Sequence, residues 1–319
     1  MQVHYDYTRL PEFRNAVLTI GTFDGVHAGH RQILRMMQEQ ARENGGETVI
    51  ITFHPHPRHI IAANQSRVFL LNSIQEKIAR LSVEGIDHLV VIPFTESFSL
   101  QPAANWVTDF LVRFFKPSCI IIGHDHRFGN SRKGDIHLLQ SMAPDCGFCV
   151  KEIPEFMLEN SSISSTRIRE ALLKGEAALA MDLLGYPYQV CGTIVLGNQL
   201  GRTLGFPTAN VQPFEDDKLI PGNGVYAVKA EVHSPVSGER IQRNAMMNIG
   251  VRPTVEGTRR MIEVHLFDFD ALIYDWEITV SLFQRLRNEQ KFENLDALKL
   301  QLNNDRQQAK QYFDEHQID

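Results

Sequence analysis

At 319 residues, 43% hydrophobic and 22% charged, the chain has the size and balance of a soluble protein with two units, each long enough to bury its own core. A formal net charge of −6 excludes broad, sequence-independent binding to nucleic acid or to an anionic membrane surface, so any anion must be held by a local site. The opening stretch MQVHYDYTRLPEF lacks the apolar core of a signal peptide, and no window approaches the ~18 apolar residues of a membrane span, so a cytoplasmic protein is expected.

From residue 16 to about residue 185, short β-branched apolar runs alternate with amphipathic stretches. AVLTIG, TVIITF, HLVVI, SCIIIG and FCVKEI read as strands. Helices are predicted to open near Gly29, Ser73, Ala103 and Asp135, and Ser73 with Glu76 forms a capping box. Such a βαβ succession implies a parallel sheet covered on both faces, which binds ligands beyond the carboxyl ends of its strands. Two short helical stretches, TRIREALLKG and EAALAMDLLG, close this half.

From Tyr188 to about Leu286, strands are separated by turn signals such as PGNG and SPVSG, which implies a small antiparallel barrel. The segment from Asn294 to about His316, with Leu295, Leu298, Leu300 and Leu302, is predicted to be a helix on the outside of that barrel. The expected organisation is therefore an α/β unit over residues 1–185 and a β unit over residues 186–319. Cys119, Cys146, Cys149 and Cys191 are too few and too scattered for a disulfide framework, and reduced, buried thiols are expected. CGFC at 146–149 has the CxxC form, but Cys149 opens a strand instead of standing where a strand meets a helix.

The stretch GTFDGVHAGH, Gly21 to His30, follows the first predicted strand directly. Free backbone NH groups and the positive end of a helix dipole there suit phosphate. Gly25 and Gly29 remove side chains so that a nucleotide can lie against the backbone. His27 and His30, three apart, can face the same way, and imidazole changes charge near neutral pH. Farther on, ISSTRIRE (Ile163 to Glu170) places hydroxyls and two arginines at a helix start, as a loop closing over phosphates requires. Each motif alone also fits an ordinary capped, solvated helix start. FHPHPRH and GHDH raise the possibility of a metal site, but neither HExxH nor paired-cysteine spacing accompanies them.

In the second half, GNQLGRTLGFPTAN (Gly197 to Asn210) falls short of a Walker P-loop, carrying Arg202 where lysine is required. In an extended chain Thr208 and Asn210 point to one side, offering a hydroxyl and an amide carbonyl to Mg²⁺. The run RMIEVHLFDFD sets Met261, Glu263 and His265 on one face and Ile262, Val264 and Leu266 on the other. Glu263 is then either a base for an alcohol or a solvent-facing glutamate on the barrel exterior.

HxGH with a later ISSTRIR resembles the nucleotidyltransferase superfamily. GxFDGxHxGH, GHDHRFG (123–129) and ISSTRIR together resemble the adenylyltransferase module of the prokaryotic bifunctional riboflavin kinase/FAD synthetases. The resemblance implies a Rossmann-like domain that transfers AMP from ATP to FMN, releasing FAD and pyrophosphate. It implies that His27 and His30 hold the ATP phosphates, that Ser165, Thr166 and Arg169 support the departing pyrophosphate, and that Gly21, Phe23, Asp24, Gly25, Gly29, Ser164 and Arg167 surround the nucleotide. His54, Pro55, Asp125, Arg127 and Phe128 fall in loops implied near flavin or nucleotide, with His126 where the family has an aromatic residue.

LGFPTAN, GVYAV, NIGVRPT, EVHLFDFD and RLRNEQKF resemble, in order, the riboflavin kinase module, a six-stranded barrel that uses ATP and Mg²⁺. By that similarity Thr208 and Asn210 hold Mg²⁺, Glu263 is the base for riboflavin, Gly197, Gly201 and Arg202 belong to a flap over ATP, and Arg285, Arg287 and Phe292 to the flavin side. IYDWE departs from the family pattern by placing Asp275 at a glycine position, remote in sequence from the proposed chemistry. The substrates implied are riboflavin, FMN and ATP, with no obligatory protein partner. Retention of one activity only, or a flavin-sensing role, are the alternatives.

Overall fold

In the computed structural model, which describes residues 1–61, 68–123, 126–153, 163–197, 200–254 and 257–318, the chain divides into two units, Met1–Ser165 and Thr166–Asp319. The first is built on a sheet of β1 (Gln2–His4), β2 (Val17–Ile20), β3 (Thr48–His54), β4 (His88–Pro93), β5 (Cys119–Gly123) and β6 (Cys149–Ile153). Their spatial order is β1-β4-β3-β2-β5-β6, with every neighbour parallel. β2 to β6 are the five apolar runs; β1, the short polar stretch QVH at the sheet edge, carries no such signal. Side chains alternate between two cores: Leu18 and Ile51 meet Trp106, Phe110 and Phe115, whereas Val17 and Ile50 meet Leu34, Met37 and Leu81. Burial on both faces is the reason these strands read as continuous apolar runs.

Helices open where caps predict. Ser73 and Glu76 form the reciprocal capping box of helix Ile74–Ser82, and Asp135 caps Ile136–Cys146. The segment beginning at Ala103 is less regular, passing from Ala103–Asn105 through a π-helical stretch, Trp106–Val112, into Arg113–Phe115.

The expectation of reduced thiols is corrected. Cys119 and Cys149 are register partners on adjacent parallel strands, 4.4 Å apart at Cα, and form a disulfide. That separation lies within the reach of a disulfide, but the pairing arises from a crossover that sequence spacing does not reveal. Cys146, the other half of CxxC, and Cys191 form no disulfide, and both are half-buried.

Helix Ser165–Lys174, from Thr166 onward, and helix Ala177–Leu184 open the second unit. Ala177–Leu184 packs on the barrel. The strands β7 (Tyr188–Val195), β8 (Ala209–Pro213), β9 (Gly224–His233), β10 (Arg240–Thr254), β11 (Gly257–Leu266) and β12 (Glu277–Arg287) close in the order β10-β11-β8-β7-β12-β9. All six pairings are antiparallel. Val190, Ile194, Val228, Val264, Val280 and Leu282, all at 0% exposure, fill the interior that strand alternation creates.

The C-terminal helix, Leu295–Glu315, lies outside the barrel but does not present all of the predicted leucines to it. Leu295 and Leu300 are exposed; Leu302, Ala309 and Phe313 make the apolar contact. The 295, 298, 300, 302 spacing mixes both faces of a 3.6-residue helix. Among these contacts stands Asp305, at 0% exposure, bound by the Arg287 guanidinium through Nε at 2.9 and 3.0 Å and Nη2 at 2.8 Å. Gln301 donates to the same carboxylate at 2.8 Å. Replacing Arg287 with methionine strands a buried charge, and the barrel should lose about 3–5 kcal/mol, read as the shift of its transition in urea unfolding.

Candidate functional sites

In the first unit, β2 runs out at Ile20 and helix Ala28–Asn44 begins eight residues later. The turn between them takes positive φ at Phe23 (46°), Gly25 (90°) and Val26 (36°), a costly path for the two non-glycine residues. His27 is the N-cap residue but its side chain makes no capping hydrogen bond. Instead, its ring stacks on His30 with centroids 3.8 Å apart, and Phe23 packs against the other ring at 5.0 Å. His30 Nδ1 is buried without a hydrogen-bond partner.

Burial holds the His30 imidazole well below its ordinary value, with His27 and the nearby Lys77 acting in the same direction. The neutral form of His30 is thus favoured in the unliganded chain. Lys77, 5% exposed in the helix Ile74–Ser82, is a component sequence reasoning missed; its capping box was visible, but not its approach to the histidines.

Asp24 joins three separate segments. Its Oδ1 accepts from Leu71 N at 2.9 Å and Asn72 N at 3.2 Å, and its backbone carbonyl accepts from Ser165 Oγ at 2.9 Å. Ser165, the last residue of the first unit, thus meets the FDG turn, and the Asp24 carboxylate ties that turn to residues 71 and 72. Ser164 precedes that helix, and Thr166, Arg167 and Arg169 follow on its first turns, within the second unit. His54 ends β3 and joins exposed Pro55 through a cis peptide bond. Asp125 lies outside the described residues. Arg127 is exposed, but Phe128 is core, 7% exposed and stacked on Trp106 at 4.6 Å.

In the second unit, register assembles the other constellation. Glu263 on β11 pairs with Asn210 on β8 and with Asn248 on β10, and opposite residues of an antiparallel pair share a face. Ile262, Val264 and Leu266 point inward, so half-buried Glu263 stands on the outer face. Asn210 is 6% exposed, and its Oδ1 is buried without a hydrogen-bond partner. A Cβ on Gly197 would collide with the Asn210 amide, and one on Gly201 with Phe206 O, so both glycines allow the loop to close on PTAN. His265 Nδ1 donates to Pro207 O at 2.8 Å and fixes the start of that segment.

A cleft beside Thr208 is lined by Arg202, Leu266, Phe269, Ile273 and Tyr274. The IYDWE departure, remote in sequence, is therefore next to the constellation in space, and Asp275 adopts φ 63° where the family pattern has glycine. Asn248 and the 269–274 loop were not singled out from sequence, because strand register and turn path supply their placement.

Of the flavin-side candidates, Arg285 donates through Nη1 to Lys174 O at 3.0 Å and through Nη2 to Asn223 O, and Arg287 is held by Asp305. Phe292 is half-buried, with the Arg287 guanidinium 5.6 Å from its ring centre. Among the described residues there is no cluster of three or more His, Cys, Asp or Glu arranged to hold a metal ion, and no helix is long and apolar enough to cross a membrane.

Comparison with known proteins matches residues 10–167 to the FAD synthetase family model and residues 184–313 to the riboflavin kinase model. A protein of Escherichia coli (strain K12) called bifunctional riboflavin kinase/FMN adenylyltransferase is 39% identical over 299 residues, covering 93% of this chain and 92% of that protein. The identically named protein of Bacillus subtilis (strain 168) is 33% identical, covering 95% and 94%. A crystal structure from Streptococcus pneumoniae, described as a macrolide-efflux protein, superposes with a TM-score of 0.84 at 29% identity, covering 97% of this chain and 98% of that one. Two domain models in this order, and relatives matched over nearly their whole length, identify the chain as a member of the bifunctional riboflavin kinase/FMN adenylyltransferase family.

Proposed function

We propose that the barrel unit phosphorylates riboflavin with ATP to give FMN and ADP, and that the first unit transfers AMP from a second ATP to FMN, giving FAD and pyrophosphate. The observation that carries the kinase reading is the register pair Glu263 and Asn210, which sets a carboxylate beside the PTAN oxygen donors on one face. Glu263 takes the proton of the riboflavin hydroxyl as its oxygen attacks the γ-phosphorus, and ADP leaves. The cleft of Arg202, Phe269, Ile273 and Tyr274 receives the adenine end of ATP.

Thr208 and Asn210 are the residues to hold Mg²⁺. The buried, unpartnered Oδ1 of Asn210 beside a hydroxyl is an oxygen donor set of the kind this hard cation prefers, and the bound ion offsets phosphate charge.

In the first unit, an oxygen of the FMN phosphate attacks the α-phosphorus of ATP and the bond to pyrophosphate breaks. The NH groups at the start of helix Ala28–Asn44 and the stacked His27 and His30 receive the phosphates, and each imidazole has an N–H to donate. Catalysis is positioning and charge stabilisation, to which Ser164, Ser165, Thr166, Arg167 and Arg169 contribute by their family motif. Dependence on ATP suits a cytoplasmic enzyme.

Glu263→Gln should lower FMN formation by about 10²–10⁴-fold and leave conversion of supplied FMN to FAD intact. His30→Ala should do the reverse, losing about 10²–10³-fold in FAD formation. Chromatographic assay of each step checks both, and loss of both steps in either variant contradicts separate sites. Gly197→Ala, which displaces the Asn210 amide, should raise the Mg²⁺ concentration needed for half-maximal FMN formation without altering FAD formation. The folded His30 binds its proton more weakly than the unfolded chain, whose value is near 6.5, so its contribution to stability is complete above that pH. Stability should fall as pH drops from there toward the folded value, and thermal melts of His30→Asn should show a shallower dependence.

A further inference from the structure

On the outer face of the barrel, away from Glu263, β9, β10 and the C-terminal helix line an open depression of about 410 Å³. Strand alternation sends Val228 and Ala230 into the barrel and Lys229 outward into this depression. Lys229 is only 6% exposed, yet it makes no hydrogen bond or ion pair with any described residue. Its apolar stem is buried, and its ammonium reaches the open space of this depression with no protein partner there. Nothing in the chemistry assigned above uses it.

The surroundings specify what satisfies it. Asn244 is the register partner of Lys229, so its amide stands on the same face. Arg243 lines the rim, exposed, its Nη1 donating to the neighbouring Gln242 O at 2.8 Å. Lys310 comes from the helix and is bound to Asp268 at 3.1 Å, and Asp314 completes the lining. Three cations thus face two carboxylates, one of which is already neutralised by Lys310. The volume falls within the ~300–1,000 Å³ range of small-molecule sites.

We propose that this depression is a separate anion site that takes a small phosphate-bearing molecule, its phosphate on Lys229 and Arg243 and its polar remainder on Asn244 and Asp314. It is distinct from the kinase centre. Val225 pairs with Asn248, the register partner of Glu263, and Lys229 lies four residues farther along β9, ~13 Å at ~3.3 Å per residue. The site carries the same class of group that both reactions consume and release, so its occupant reports on phosphate compounds without passing through either active centre.

The test is isothermal titration calorimetry of the full chain at low salt with inorganic phosphate, AMP and FMN as separate probes, on wild type, Lys229→Met and Arg243→Gln. Lys229→Met keeps the apolar stem, and Arg243→Gln changes an exposed residue that cannot compromise folding. At least one probe should show a binding event weakened tenfold or more in both variants, while KM for ATP and riboflavin in FMN formation stays within twofold of wild type. Which probe shows it distinguishes free phosphate from a nucleotide as the source. Equal affinity of all three probes for wild type and both variants overturns the site, as does a parallel loss of kinase KM, which would make the depression part of the active centre.

Discussion

Antiparallel register is the constraint on which the kinase half depends. Glu263, Asn210 and Asn248 belong to three different strands, and none is near another in sequence; they share a face because β11 lies between β8 and β10 in a closed barrel. A one-residue slip of β11 would send Glu263 inside among Val190 and Val280 and bring Val264 out. Burial of Ile262, Val264 and Leu266 prevents that slip, so the same alternation that stabilises the barrel also aims the carboxylate.

In the first unit the corresponding constraint is the tight turn after β2. Phe23 and Val26 are held in a backbone region costly for residues with a Cβ, and what holds them is visible: Asp24 is bound to Leu71, Asn72 and Ser165. The turn leaves two rings stacked at a helix start, with the buried Nδ1 of His30 unsatisfied. On the proposed reading this site is arranged for an anion before the anion arrives, and burial disfavours a charge on His30 until then.

Much of this was legible. The five sheet strands, the caps at Ser73 and Asp135, the barrel and the terminal helix follow from periodicity and capping chemistry, because each is a local signal. His27, His30, Thr208, Asn210 and Glu263 were singled out by motif, and ring stacking groups the first two while strand register sets Asn210 beside Glu263. What escaped depends on long-range placement: β1 has no apolar signature, the Cys119–Cys149 link needs strand order, and Lys77 and the 269–274 loop approach their sites only through the fold. Phe128 and Arg287 illustrate the converse, since residues that match a family's ligand positions are engaged in packing against Trp106 and in pairing with Asp305.

The left-handed conformation at Asp275 separates shape from electrostatics. Aspartate is among the few non-glycine residues that enter this region at modest cost, so the loop can take this turn without glycine. What the exchange adds is a carboxylate one residue beyond Tyr274, which lines the cleft beside Thr208. On the reading proposed for that cleft, such a charge acts on dwell time: it slows the entry of a polyanion and quickens its departure, more so as ionic strength falls.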